Sequence, residues 1–527
     1  MADIDAELPS AANSRLAARY DEVPYLSFPH SRSHLARIAM VAQLFGLAAA
    51  PPESAQVLEI GCASGGHIIP LAVQYPGARF VGLDLSPVQV ASGKARIERL
   101  GLANIELICG DLAEWSPDGA AFDYVLCHGV YSWVPPPVRQ IILRQVARHL
   151  SADGIAYVSY NTLPGWRLKQ VFRDALISQT RHLPDAKTQV ARARVLIEAW
   201  KGWRSNGAPH SKLLRHWADK ASTMPDDYLA HEFLEDANEP QTFTDFVEDA
   251  ARAGLGYLGD LDLWMSLPEN YDPETRRMLE LTADNLLVPT EQMIDVLTGR
   301  EFRRTLLVHE EITPRISRQL DRTRIESLHF AGEYKLPEPA STAPWTFTVP
   351  NGRTLSTNIA SVRAAFQALS AAFPASLSLN ELASLSDPEA ADRSGRTEIV
   401  DALFGALAGG LIDARTDRLR AASSVATMPR APAYCRIDAL AGEGVTATLR
   451  HEPFFIDVVG RILLPLLDGG HDKPALAQAL IDAVNAGELR LDREGVHVTN
   501  ENEIADSARD NVDRALATLQ KAGMLEP

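Results

Sequence analysis

Val57-Leu58-Glu59-Ile60-Gly61-Cys62-Ala63-Ser64-Gly65-Gly66 is an apolar run of strand type that ends in a turn of small residues. His67-Ile68-Ile69-Pro70-Leu71-Ala72 then begins a helical pattern. In a strand–turn–helix unit a ligand lies on the turn, beside the helix N-terminus. Glycines there let a flat ligand approach the backbone closely. The spacing E-x-G-x-x-x-G differs from the dinucleotide fingerprint G-x-G-x-x-G. On its own, so short a motif also fits an ordinary strand-to-helix turn in any α/β enzyme.

The flanking chain narrows the choice. Upstream, Leu35, Ile38, Ala39, Ala42 and Phe45 are spaced as one helix face, closed by Gly46 and Pro51-Pro52. Downstream, strand 79–83 ends at Asp84, about twenty residues past the glycines, where an acid can hold both hydroxyls of a ribose. Ser86-Pro87 starts the next helix. Strand 104–108 runs into Cys109-Gly110-Asp111-Leu112, and strand 122–127 follows. Helix 139–150 then leads to strand 154–160. Five strands separated by helices specify an α/β fold with a doubly wound, Rossmann-like parallel sheet. Ligands of such sheets lie at the carboxyl ends of the strands.

The glycine turn, Asp84 and Gly110-Asp111, in that order, resemble the class I S-adenosylmethionine-dependent methyltransferases. The resemblance implies that Gly61 and Gly65 admit the amino acid half of the cofactor. It implies that Asp84 accepts from the ribose hydroxyls and Asp111 from the adenine amine, with His128 near the sulfonium. Tyr20, Glu59, Ala63, Leu85, Gly110 and Leu112 complete the implied cofactor-binding set. From the residues alone, Asp111 also reads as a helix N-cap and Asp84 as a turn cap before Pro87. Glu59 also reads as a buried carboxyl paired with a backbone amide.

Four further stretches are distinctive together: Tyr20-Asp21-Glu22-Val23-Pro24-Tyr25, Gly129-Val130-Tyr131-Ser132-Trp133-Val134-Pro135, Tyr160-Asn161-Thr162-Leu163-Pro164-Gly165-Trp166 and Phe302-Arg303-Arg304-Thr305-Leu306-Leu307-Val308-His309. They are similar to bacterial methyltransferases with a methyltransferase regulatory domain, a group that includes the rickettsial protein-lysine methyltransferases. The resemblance implies that strands 254–259 and 305–309 return as an antiparallel pair to complete the sheet. It places the methyl acceptor beside the loop after strand four, with Tyr131 and Trp133 as walls and Asn161 positioning an amine, these three forming the catalytic set. Aromatic walls suit an uncharged amine or an alkyl ammonium. Desolvation against them lowers a lysine's pKa and favours the neutral nucleophile. The D/N-P-P-Y motif of other N-methyltransferases is absent here. Tyr131, Trp133 and Trp166 read equally as loop packing.

The chain divides into a cofactor-binding core, 1–165, and a helical regulatory insertion, 166–310, that returns to the sheet. A linker, 311–344, leads to two winged-helix-like modules, 345–430 and 431–527. Residues 1–30 read as a surface tether or as a flap over the cofactor. Residues 335–344 are Pro-rich and read as extended, and Asn351-Gly352 marks a hairpin. Ser378-Leu379-Asn380-Glu381 is a capping box. His231-Glu232 lacks the second histidine of H-E-x-x-H and reads as a helix surface, so no metal site is expected. The mixed charges of 512–521 favour a protein partner over DNA for the winged helices.

The 527 residues carry a net charge of -17, which works against nucleic acid and anionic membrane partners. At 46% hydrophobic and 23% charged residues the chain reads as globular. It shows no signal peptide and no apolar run of membrane-spanning length, which points to the cytoplasm. Cys62, Cys109, Cys127 and Cys435 show no metal-ligand spacing and read as buried free thiols. The expected activity is methyl transfer from S-adenosylmethionine to a protein lysine, with a homodimer as a candidate assembly. The alternatives are a small-molecule methyltransferase and a non-catalytic protein that senses the cofactor.

Overall fold

The computed structural model describes residues 26–527 except 116, 118, 120, 204–206, 236, 285, 339–340, 387–392, 494–495 and 499. The strands are β1 Gln56–Ile60, β2 Arg79–Asp84, β3 Ile105–Cys109, β4 Phe122–Cys127, β5 Leu150–Asn161, β6 Leu255–Asp260 and β7 Phe302–His309. They form one sheet in the order β3-β2-β1-β4-β5-β7-β6. β1 to β5 run parallel, and β7 lies antiparallel between β5 and β6. The doubly wound α/β fold is therefore present, with its switch point between β1 and β4. β1 and β4 are covered on both faces, which is why they read as nearly continuous apolar runs. β5 is longer than its local sequence suggests. Its end pairs with β7, Asn161 opposite Phe302, a partner far along the chain.

Helices Trp166–Thr180, Ala186–Lys201 and Pro209–Ala221 and the π-helical turn Ala230–Leu234 make up the first insertion. They pack around their own core of Phe172, Leu176, Ile197, Trp217 and Phe233. Helices Pro273–Ala283 and Leu287–Thr298 form a second excursion before β7. Arg303 of β7 is fully buried and binds Glu291 at 2.9 Å and Asp295 at 2.7 Å, which fastens this excursion to the sheet. Removing one partner of such a pair strands a buried charge and costs roughly 3–5 kcal/mol.

Residues 311–344 are not a simple linker. β8 His329–Ala331 is the middle strand of a second sheet, between β11 Leu377–Ser378 and β12 Asp413–Arg415. Ile325, Leu328 and Phe330 bury into one core with Leu44, Val308, Phe366 and Leu403. These apolar residues lie in runs too short to show a period, beside the conspicuous prolines that follow. Hairpin β9 Trp345–Thr348 and β10 Thr354–Thr357 turns at Asn351-Gly352 as expected. The capping box also forms: Ser378 N donates to Glu381 Oε2 at 2.8 Å, and Glu381 N donates to Ser378 Oγ at 3.3 Å.

The last unit has its own core of Tyr434, Leu463, Leu480, Leu516 and Met524. Its wing is the hairpin β13 Val445–Ala447 and β14 Pro453–Phe455. Arg96, on the helix Pro87–Leu100, reaches the buried Asp438 with two bonds of 2.8 and 2.7 Å and ties this unit to the sheet domain. Cys62, Cys127 and Cys435 are buried as expected, but Cys109 is exposed, because β3 is the outer strand of the sheet. Among the described residues, no helix is long and apolar enough to cross a membrane.

Candidate active site

A cavity of about 830 Å³ opens at the switch point, within the size range of small-molecule sites. Its floor is the turn after β1. Gly61 has φ +74°, and a Cβ there would lie 2.3 Å from the Val130 side chain. Ala63 shares the left-handed region at φ +48° and donates its N–H to Asp84 Oδ2 at 2.7 Å. Asp84 Oδ1 accepts from Ser86 N at 2.9 Å. Asp84 thus organises the turn and lines the cavity at the end of β2. Asp111 Oδ1 accepts from Ala113 N at 2.9 Å, so the local cap and the cavity-lining position coincide.

Glu59 lines the cavity and is nearly fully buried, and its Oε2 has no partner. Burial, and secondarily the Asp84 charge, pushes its carboxyl well above the usual range. A cationic ligand group beside it would reverse that. His67 Nε2 and Asn161 Nδ2 are also buried without partners on the cavity wall. These three orphaned polar atoms fit a ligand with an ammonium, a carboxylate and hydroxyls.

The N-terminal segment covers the turn. Gly66 N donates to Ser27 Oγ at 2.8 Å, and a Cβ on Gly66 would strike the Ser27 carbonyl at 2.2 Å. The His30 ring packs against the His128 ring, tilted by 33°, with centroids 3.7 Å apart. Residues 27–32 therefore form a flap over the turn, while residues 1–25 of the stretch read as a tether or a flap lie outside the described residues. His128 Nδ1 lies 2.6 Å from Tyr157 Oη, and burial holds its imidazole neutral.

The other end of the cavity is aromatic. Trp133 and Trp166 meet edge to face at 6.3 Å, and Asn161 lies beside them at the end of β5. Trp166 is anchored by its Nε1 donating to Asn238 Oδ1 at 2.8 Å. Lys169, Glu232, Glu301 and Arg304 add charge, and His231 lies among them. Pro453 and Phe455 of the C-terminal wing line the cavity on the side of the N-terminal segment, Phe455 set edge-on to Phe28 at 6.1 Å.

Of the residues expected from sequence, Glu59, Gly61, Ala63, Asp84, Leu85, Gly110, Asp111, Leu112, His128, Trp133 and Asn161 all face this cavity. Tyr20 lies outside the described residues. Tyr131 and Gly65 are not on the cavity wall. Tyr131 is fully buried against Phe246 and Tyr160 and lies behind the loop rather than on the cavity wall. Gly65 does not line the cavity either; a Cβ there would meet Ile69 at 2.8 Å, so its smallness serves the packing of the following helix. His231 and Glu232 are not a helix surface: His231 is buried and both face the cavity. No cluster suited to a metal ion occurs among the described residues. The residues that the sequence left unassigned come from the flap, the insertion and the wing. Only the distinctive Tyr160–Trp166 and Phe302–His309 stretches signalled part of them.

Comparison with known proteins agrees with this architecture. Residues 57–154 match the family described as "Methyltransferase domain", 225–309 "Predicted methyltransferase regulatory domain" and 427–524 "PKMT, C-terminal winged helix domain". Uncharacterized protein RP789 of Rickettsia prowazekii (strain Madrid E) is 31% identical over 499 residues, covering 92% of this chain and 89% of that protein. The solved structure of PKMT2 from Rickettsia typhi in complex with AdoHcy is 26% identical, with a TM-score of 0.84 over 95% of this chain and 100% of that one. A trans-aconitate 2-methyltransferase of Azoarcus sp. (strain BH72) is 27% identical over 209 residues, 40% of this chain and 75% of that protein.

Proposed function

Since the chain belongs to the S-adenosylmethionine-dependent methyltransferases that carry a regulatory domain and a PKMT-type C-terminal winged helix, we propose that its acceptor is the side-chain amine of a protein lysine. The observation that carries the reading is that distant parts of the chain line one cavity. Trp133, Trp166 and Asn161 line it, and so do Pro453 and Phe455 of the C-terminal unit. A small metabolite has no need of a wall supplied from the far end of the chain, whereas a polypeptide substrate would use it.

In this reading Asp84 and Asp111 hold the ribose and adenine of S-adenosylmethionine, and Glu59 meets its ammonium group. Bound there, the cofactor supplies an electrophilic methyl group on a sulfonium. The chain's own residues align, desolvate and neutralise the nucleophile. Trp133 and Trp166 strip water from the acceptor amine, which lowers its pKa. The Asn161 carbonyl accepts a hydrogen bond from the neutral amine and points its lone pair inward. Neutral His128, braced by Tyr157, adds no positive charge beside the sulfonium. Catalysis rests on proximity and exclusion of water.

The test is incubation of the full chain with isotopically labelled cofactor, lysate proteins and lysate small molecules. Label recovered as methyllysine after hydrolysis of the protein fraction supports the reading. Label confined to the small-molecule fraction refutes it.

A further inference from the structure

Lys169 lies in the first turn of helix Trp166–Thr180, and its side chain points into the active-site cavity rather than to solvent. It is only 7% exposed. A helix lysine ordinarily carries its ammonium out to water. Here Nζ sits 4.3 Å from the ring centre of Trp166, 5.2 Å from Phe233 and 5.4 Å from Trp217. The Glu232 carboxylate pairs with it directly. These partners come from three separate elements of the insertion, two helices and the π-helical turn. Such turns occur preferentially at functional sites.

Three aromatic faces and a carboxylate around an ammonium form an aromatic cage. The cage suits a methylated lysine as well as a free one, because methylation keeps the charge and adds apolar surface. Lys169 also lines the same cavity as Asp84, His128 and Asn161. We propose that Lys169 is itself a methyl acceptor of this enzyme, modified within its own chain; the inference rests on the reading that acceptors are lysine amines.

The chemistry balances without any further reagent. The Lys169 ammonium gives one proton to the Glu232 carboxylate. The lone pair freed on Nζ forms the new bond to the methyl carbon of S-adenosylmethionine. The carbon–sulfur bond breaks, and its electron pair stays on sulfur, leaving S-adenosylhomocysteine. The methylated nitrogen is again cationic, Glu232 passes its proton to water, and the ion pair re-forms inside the cage.

The test is peptide mass spectrometry on the full chain, as isolated from cells and after incubation with cofactor but no added acceptor. Expected is a mass gain of one or more methyl groups on Lys169, at a rate per chain that does not change with protein concentration. Lys169→Arg should abolish that incorporation, while the wild-type peptide decides the matter alone if the variant does not fold. Unmodified Lys169 in a preparation that methylates lysines of an added protein overturns the inference and leaves the acceptor class standing. A rate proportional to protein concentration, or equal self-labelling of Lys169→Arg, also overturns it. Transfer to a small molecule with no lysine modified anywhere overturns the acceptor class and this inference with it.

Discussion

His451 Nε2 lies 2.8 Å from Nδ1 of His67, joining the C-terminal winged helix to the cofactor-binding turn. Both rings are buried, and burial, followed by neighbouring histidines, holds both pKa values well below 6.5. His30, pushed down to about 4, and His34, to about 3, belong to the same cluster, with Arg304 and Arg415 nearby. The folded state binds fewer protons than the unfolded chain, so stability is full above pH 6.5 and falls as pH drops through it. Each such histidine costs about 1.4 kcal/mol per pH unit below that point. The melting temperature should fall from pH 7.5 to 5, and less steeply in His451→Gln. Identical slopes for both proteins would show that the histidine contact is not the acid-sensitive joint.

Asp84 holds the turn through Ala63 N and Ser86 N and, in the proposed role, the ribose as well. A hydrogen bond to a charged group is worth roughly 1.5–3 kcal/mol. Asp84→Ala should weaken cofactor binding about tenfold or more, read by titration calorimetry. Unchanged affinity would reduce Asp84 to a turn cap.

Because the Glu59 carboxyl is raised by burial, it carries a proton above the usual carboxylate range. The cofactor's ammonium favours the ionised form, so binding should release a proton. Affinity should rise with pH until Glu59 is already ionised in the free enzyme. Calorimetry in two buffers of different ionisation enthalpy should report the release for wild type and none for Glu59→Gln. Equal release from both proteins would assign the proton elsewhere.

Trp133 and Tyr131 are two residues apart but face opposite ways. Trp133→Ala should cut methyl transfer at least tenfold while cofactor affinity stays within about twofold, an effect worth about 1.4 kcal/mol or more. Tyr131→Phe should leave transfer near wild type. Tyr131→Ala should lower stability by roughly 3–5 kcal/mol, the usual cost of emptying a buried aromatic site. A Tyr131→Phe enzyme that binds cofactor but has lost transfer would return Tyr131 to the active site.

Two of the three basic residues of the final helix, Glu501–Lys521, are paired with acids, Arg509 with Asp506 at 2.6 Å and Lys521 with Glu333 at 2.7 Å. With a net charge of -17, the chain should not be retained on duplex DNA at physiological salt. A mobility shift in the submicromolar range at that salt would contradict this.

The residues legible in the sequence are those fixed by local geometry. Gly61, Asp84 and Asp111 each lie at or within two residues of a strand's carboxyl end, and a doubly wound sheet brings such positions to one edge. Tyr131 failed because adjacency along a loop does not say which side of it faces the ligand. Lys169 and Glu232 were hidden because their meeting depends on how helices of the insertion pack, and Phe455 because its wing belongs to another unit. The fold followed the same division. Short apolar runs marked the five parallel strands, and the resemblance to the family supplied the antiparallel pair, but β8 carries too few residues to announce itself, and the pairing that lengthens β5 comes from a distant partner.

The wedging of β7 between β5 and β6 also constrains how the protein is made. Asn161 and Phe302 are cross-strand neighbours, yet the entire insertion lies between them in the chain. A nascent polypeptide that has emerged only as far as the end of β5 holds every residue proposed to grip the cofactor. It also presents a long unpaired apolar edge to the ribosome's surroundings, where strands aggregate. The sheet can close only after His309 has left the exit tunnel. Translation stalled before that point should yield chains that proteases cleave freely and chaperones retain. Trimming the enzyme to its cofactor motifs should therefore produce an insoluble fragment rather than a minimal catalyst.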